Sequence, residues 1–390
     1  MPTFCLARHA DYRCQHSGAC CTSNWPIHIE AERLDSIGAA IAGRRLTVPH
    51  GAAFDVPPDL PPGAGAVLRT TVVGACVFYD GAARRCRVHG ELGHEMLPSA
   101  CQHFPRRCLI ERDAVCVSLS HYCPTVARMA FDEGAARGIV SAPGSLVGHL
   151  HLEGLDATDA LPPLLRPGVL TDLEGFHAWE RAAVELLEAG EAPELALERV
   201  ARMTTRVSTW SPGKQALAKE VAAADPHARA EAVTARIAGA DGRAADELAM
   251  RAAWELVRRA IPEEFRRGDA PPLRRPVLPG ADLAARDARW VAPTWTAFSG
   301  PLCRFLAAHA FGSWCGYLGD GLNTVARSLE VALAIVRAEA GRLCDERAQS
   351  LDQAMLVEAF RAADLLLVHL ADPKALATAI DKAPRGFARG

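Results

Sequence analysis

Apolar residues recur every three or four positions over residues 171–189, 192–203, 213–224, 227–238 and 244–261, which predicts five helices, each ended by Gly, Pro or a polar turn. The most apolar helices are predicted later, over 301–318, 322–344 and 351–370. In the last of these Leu351, Met355, Ala359, Ala362, Leu366 and His369 form one stripe at helical spacing, the mark of a buried face. A Pro-rich linker over 269–280 separates the two helical sets, and no internal repeat of fixed period is found.

The first third of the chain reads differently. Residues 25–30 alternate apolar and polar as a short extended piece, and a helix over 30–42 stops at Gly43. Residues 49–65 are rich in Pro and Gly and read as an irregular loop. Cys76-Val77-Phe78-Tyr79 and Cys86-Arg87-Val88-His89 flank Asp80-Gly81, which predicts a β-hairpin. Residues 97–105 are turn-rich, 114–119 are a strand-like apolar run, and Pro124 opens a helix to about residue 131. The expected architecture is mainly α: a small Cys-rich, metal-organised N-terminal module with a short β-hairpin over 1–130, then an α-helical body in two regions, 131–268 and 281–390.

Charge and length narrow the function. A net charge of -3 and a pI near 6.5 leave no electrostatic footprint for nucleic acid or an anionic membrane. No apolar run approaches the ~20 residues that span a bilayer; residues 329–336 are short and include Glu330. The N-terminus has no apolar core of a secretory signal, so a cytoplasmic location is expected. In a reducing compartment clustered cysteines serve metals or redox chemistry more often than disulfides, and the odd total of 13 agrees.

Ten of those cysteines and eight of the 14 histidines fall at or before Cys123. Three thiols and an imidazole lie between Cys14 and Cys21. The adjacent pair Cys20-Cys21 is ill suited to a mutual disulfide, because the S–S geometry keeps the two Cα atoms further apart than one peptide link allows. Two neighbouring thiolates can instead serve a metal or cluster. Cys86-Arg87-Val88-His89 is a Cys-x2-His pair at chelating spacing, and His121-Tyr122-Cys123 is a second mixed pair. Cys5, Cys108 and Cys116 read individually as buried thiols, as do Cys303, Cys315 and Cys344 in their apolar helices. A thiol redox protein is disfavoured, since no Cys-x-x-Cys opens a helix.

The series aromatic-x-Cys…Gly-x-Cys-Cys, then Gly-x-Cys-x-Phe, Cys-x-x-His and Cys-x-x-Phe-Pro-Arg resembles the zinc- or iron-chelating cysteine-cluster (YkgJ-type) proteins. Residues 97–106, Leu-Pro-Ser-Ala-Cys-Gln-His-Phe-Pro-Arg, and 118–124, Ser-Leu-Ser-His-Tyr-Cys-Pro, are similar more narrowly to the flagellin lysine-N-methylases. The resemblance covers Tyr12 to Met129 and implies an iron–sulfur cluster or zinc held by Cys14, Cys20, Cys21, Cys76, Cys86, Cys101 and Cys123. It also implies S-adenosylmethionine as methyl donor, with a protein carrying exposed lysines as the substrate. Where the family has a further Cys, this chain has Ser17 beside His16: either His16 substitutes or that ligand is dispensable. No strand-Gly-x-Gly-helix unit for the donor is found, and Gly63-Ala64-Gly65 lies in a Pro-rich loop. Arg106, with its fork of donors, is the residue expected near the donor's carboxylate, the alternative being a solvated surface arginine. The rival from another class is a non-catalytic metal-binding structural or interaction protein, with the helical body as its partner surface.

Overall fold

The computed structural model describes residues 1–23, 25–49, 51–147, 152–213, 215–230, 240–266 and 282–383. The chain is mainly α, about 53% helix against 12% strand, and every described strand lies between Thr3 and Leu170. The strands are β1 (Thr3–Leu6), β2 (His28–Glu30), β3 (Phe54–Asp55), β4 (Ala64–Leu68), β5 (Tyr79–Asp80), β6 (Arg85–Cys86), β7 (Arg106–Ile110), β8 (Val115–Leu119), β9 (Ile139–Ser141), β10 (Gly154–Asp156), β11 (Leu164–Arg166) and β12 (Val169–Leu170). Five of them build one mixed sheet in the order β10-β7-β8-β1-β9, with β7 and β8 antiparallel and β8 and β1 parallel. A small sheet β2-β4-β3 and two hairpins, β5-β6 and β11-β12, complete the strands.

The central strands of the mixed sheet are covered on both faces, and their residues alternate accordingly. In β8, Val115, Val117 and Leu119 pack with Cys5, Tyr12, Cys108 and Cys123 on one side. On the other, Cys116 joins the large helical core and the Ser118 hydroxyl donates to the Ala308 carbonyl at 2.9 Å. Sheets covered on both sides lack the polar-out alternation of half-exposed strands. That is why β1 (Thr-Phe-Cys-Leu) and β7 (Arg-Arg-Cys-Leu-Ile) carry no recognisable strand pattern.

The helical body follows its apolar periodicity closely. Labelled in chain order among all helices, α1 is Ala31–Ala42, α2 Arg87–Leu92, α3 Ser99–His103, α4 Pro124–Met129 and α5 Gly144–Val147. The body holds α6 (Leu173–Leu187), α7 (Pro193–Val207), α8 (Leu217–Ala230), α9 (Ala240–Ala260), α10 (Glu263–Arg266), α11 (Leu283–Arg286), α12 (Ser299–Ala310), α13 (Cys315–Leu318), α14 (Leu322–Arg347), α15 (Gln353–Asp364) and α16 (Pro373–Lys382). Start signals are met by side-chain caps: Asp172, Asp352 and Asp372 each accept from a backbone N–H three residues on. Pro opens α4, α7 and α16, where its missing N–H costs nothing.

Several expectations change. Residues 301–318 form two helices, because Gly312 takes a left-handed φ of 62°, and a Cβ there would stand 3.3 Å from the Cys116 side chain. The helix expected over 351–370 loosens to a π-helical turn after Asp364. Residues 49–65 are not wholly irregular, since β3 and the start of β4 lie within them. The hairpin about Asp80-Gly81 is confined to β5 and β6, because Arg87 enters helix α2 and its N–H donates to the Phe78 carbonyl at 2.8 Å. The helices expected over 213–224 and 227–238 meet in one helix, α8, as far as Ala230; residues 231–239 and the linker at 269–280 lie outside the described residues.

One buried carboxyl ties α6 to the turn between α12 and α13 and gives the fold a measurable pH signature. Glu180 on α6 accepts from the Gly312 N–H at 2.8 Å, and burial first, with Glu111 adding, pushes its pKa from 4.5 up to about 7 against the opposing pull of that N–H and of His177. The folded state therefore holds a proton that the unfolded chain releases, so this group's contribution falls as pH rises from about 4.5 through 7. The loss is on the order of 3 kcal/mol when Glu180 is fully ionised. Glu180→Gln keeps an acceptor for Gly312. Its melting temperature is expected to match the parent near pH 4.5, to exceed it progressively as pH rises to about 7, and to keep a constant lead above that; a pH-independent difference in calorimetry would show that Glu180 does not titrate this way.

Candidate metal centre

Four separate stretches of chain deliver thiols to one place. In the first, the Cys21 and Thr22 N–H groups both donate to the Gly18 carbonyl at 3.0 Å, closing a turn that sets Cys20 and Cys21 side by side. Gly18 has φ 76°, and the Tyr79 hydroxyl lies 2.6 Å from where a Cβ would stand, so β5 presses its ring directly onto that turn. The second stretch is tied to the first, because the Cys76 N–H donates to the Cys21 carbonyl at 2.7 Å. Cys86 follows at the end of β6. The third stretch is α3, which carries Cys101 and is fixed by Glu30, whose carboxylate accepts from the Ser99 N–H at 3.1 Å. The fourth is the end of β8 and the start of α4, where Cys123 stands 4.0 Å from the buried Tyr12 hydroxyl.

These stretches enclose a cavity of about 550 Å³. Cys14, Cys20, Cys21, Cys76, Cys86, Cys101 and Cys123, the seven residues singled out from the sequence, all line it. Cys5, Cys108, Cys116, Cys303 and Cys344 are buried elsewhere, Cys315 is half-buried against the core, and all 13 thiols are free. His16, also on the lining, takes a left-handed φ of 51° beside Ser17 and has its ring 4.9 Å from that of His89, which in turn lies 5.6 Å from His94. Three imidazoles thus edge the cavity, of which the sequence flagged only His16 and His89.

The thiols differ in ionisation. Burial pushes Cys76 up to about 12 and lifts Cys101 well above its ordinary value. Cys20 and Cys86 move the other way, each drawn down by a hydrogen bond from Cys21, which is itself raised by the same contacts. The Cys20 and Cys21 sulfurs are 3.8 Å apart. Two sulfurs on one tetrahedral zinc, at Zn–S distances of about 2.3 Å, would be separated by about 3.8 Å, so this pair already spans one edge of such a site. Among the described residues, however, three donor atoms lie mutually within 4.8 Å only at His121, His309 and Asp364. Seven sulfurs spread over the cavity wall therefore fit a multinuclear centre, or one ion with rearrangement, better than a preformed single-ion tetrahedron.

Arg106 lines the cavity, but its guanidinium is engaged by the wall. Nε donates to the Leu146 carbonyl, and Nη1 to the Gln102 and His103 carbonyls at 3.1 and 3.3 Å. Burial, the largest influence, lowers its pKa, while Tyr12, Cys108 and Cys14 oppose that. Arg107 is directed to the body side, 4.8 Å over the Trp314 ring. The cluster of His121, His309 and Asp364 was not singled out from the sequence; only His121 drew notice there, and through its neighbour Cys123. No described helix is long and apolar enough to cross a membrane. No protein-family model, curated protein or solved structure matches the chain.

The ionisation order is testable on metal-free protein. The thiolate is the nucleophile, so at pH 7 iodoacetamide should label Cys86 and Cys20 first and Cys76 and Cys101 much later. Buried Cys108, raised to about 12, should be as slow as Cys76. Raising the pH should narrow the gap. Equal labelling of Cys76 and Cys86 at pH 7, read by peptide mass spectrometry, would contradict the assignment.

Proposed function

We propose that the chain binds an iron–sulfur cluster or zinc through Cys14, Cys20, Cys21, Cys76, Cys86, Cys101 and Cys123, and that its N-terminal part, hairpin included, is a metal-organised module. The observation that carries the proposal is the lining of a single cavity by all seven thiols from four separated chain stretches. Burial makes ionisation of Cys76 and Cys101 costly by themselves. A bound cation compensates that cost, because thiolate, not thiol, is the metal ligand. The spread of the sulfurs favours an iron–sulfur cluster over one zinc ion. When bound, such a cluster supplies electron-transfer or Lewis-acid chemistry; the chain's own residues hold it, and Tyr12, Phe104 and Leu97 limit its contact with water.

The finer reading is a protein lysine N-methylase of the flagellin type, using S-adenosylmethionine on a protein with exposed lysines. Its support is the resemblance of the motifs. The cavity would receive the donor, and Arg13, Arg33 and Arg85 on its wall offer positive charge for a carboxylate. The backbone bonds of Arg106 favour the second reading, a non-catalytic metal-binding interaction protein, because they leave that residue as part of the wall.

Anaerobic purification with metal analysis and visible spectroscopy tests the first level. Bound iron and acid-labile sulfide, with absorption that bleaches on reduction, are expected; Cys20→Ser together with Cys21→Ser should remove most of it. Protein that folds without bound iron or zinc would overturn the proposal. For the second level, calorimetry on metal-replete chain should detect S-adenosylmethionine, and Arg106→Ala should weaken it through loss of the wall. No heat of donor binding would select the interaction protein and leave the metal centre standing.

A further inference from the structure

A second group of metal-type donors lies outside the thiol-lined cavity, against the helical body. His121 follows β8, His309 stands on α12 and Asp364 ends α15, so three distant parts of the chain meet at one carboxylate. His309 Nε2 donates to Asp364 Oδ1 at 2.7 Å, and His121 Nδ1 lies 3.6 Å from Asp364 Oδ2. The three donor atoms fall mutually within 4.8 Å, and both His121 and Asp364 are buried. A first-row ion with bonds of about 2.1 Å to nitrogen and oxygen holds neighbouring donors about 3.4 Å apart at tetrahedral angles. The two observed N···O separations, each to a different oxygen of Asp364, fall on either side of that value.

The surroundings resemble the support that metal ligands need. Asp364 Oδ2 also accepts from the Ser120 hydroxyl at 3.1 Å and from the His121 backbone N–H, which fix the carboxylate in place. Phe305 and Phe360 pack at 4.7 Å from each other, and the Phe305 ring lies 4.8 Å from His121 and 4.5 Å from His309, giving a dry shell. A further imidazole stands next to the group: His9 is buried, its Nδ1 has no hydrogen-bond partner, and its ring is 6.4 Å from that of His121. A buried polar atom without a partner calls for an explanation, and an unseen ligand is one of the few available.

We propose that His121, His309 and Asp364 hold a divalent first-row cation without sulfur, at a site independent of the thiol-lined cavity. Two imidazoles and one carboxylate suit zinc or ferrous iron and leave at least one coordination position for water or for His9. Binding replaces the His309–Asp364 hydrogen bond by two coordinate bonds, and the proton on His309 Nε2 moves to Nδ1 if the ring is neutral or to solvent if it is an imidazolium. The ion would clamp the end of β8 to α12 and α15.

Cobalt(II) alone is the probe. In full-length chain carrying Cys20→Ser, Cys21→Ser and Cys101→Ser, about one cobalt per chain should remain after dialysis, with ligand-field absorption and no thiolate charge-transfer band. His309→Ala in that background should weaken it by tenfold or more, the least expected for a ligand given what supporting residues contribute. A folded variant that binds no cobalt overturns the site, as does cobalt retained unchanged in His309→Ala or seen only with thiolate charge transfer. Should the triple variant not fold, X-ray absorption of the parent chain at two equivalents decides. A nitrogen–oxygen shell near 2.1 Å for the second ion supports the site, and sulfur alone at every loading overturns it.

Discussion

Strand β8 is the constraint on which the rest of the molecule depends. All five residues from Val115 to Leu119 are buried, and their alternation sends three side chains to the sulfur side and two to the helical body. Every partner must therefore fit both neighbours at once, since a one-residue slip would exchange the two faces. The strand then runs straight into Ser120-His121-Tyr122-Cys123, where Ser120 and His121 meet Asp364 of the body and Cys123 lines the cavity. Site and body are thus two ends of one short, fully packed segment.

That arrangement explains how much could be read without coordinates. The seven cavity cysteines stood out because they sit in the ordered motifs that carry the resemblance, and adjacent ones such as Cys20-Cys21 have few structural uses. The helices stood out because their apolar spacing is set by one covered face, as in the stripe from Leu351 to Leu366. Strands β1 and β7 did not, because a strand covered on both sides loses the period of two, and Arg106-Arg107 imitates a surface segment. The cluster about Asp364 was invisible for another reason. Its members are single residues in ordinary apolar surroundings, 243 positions apart between His121 and Asp364, and proximity of that kind has no local signal. Arg106 was expected to face a ligand, yet in the fold it satisfies three backbone carbonyls that the turn-rich stretch around α3 and α5 leaves unpaired.

The chemistry divides along the sheet. On one side, thiols share protons unequally around Cys21, and burial holds several of them in the neutral form. On the other, Asp364 stays charged: burial alone would raise its pKa, but His309 and His121 together hold it well below the ordinary carboxylate range. One face collects thiols held largely neutral by burial, and the other keeps a buried anion surrounded by donors. A sheet only one strand thick separates these opposite electrostatic environments.

The contacts across β8 also order events during synthesis. The first ten cysteines leave the ribosome long before Ala308 and Asp364, the acceptors that receive Ser118, Ser120 and His121 from 190 to 244 positions away. At elongation rates of about 5–20 residues per second, the gap is roughly 10 to 50 s. Throughout that interval Ser118, Ser120 and His121 lack these acceptors, and the sheet's far side has only the earlier helices such as α6 to pack against. The C-terminal helices thus act as a late-arriving cover for the body side of the sheet, whereas the thiol-lined cavity, walled by residues between Tyr12 and Ser145, has its whole lining made well before them.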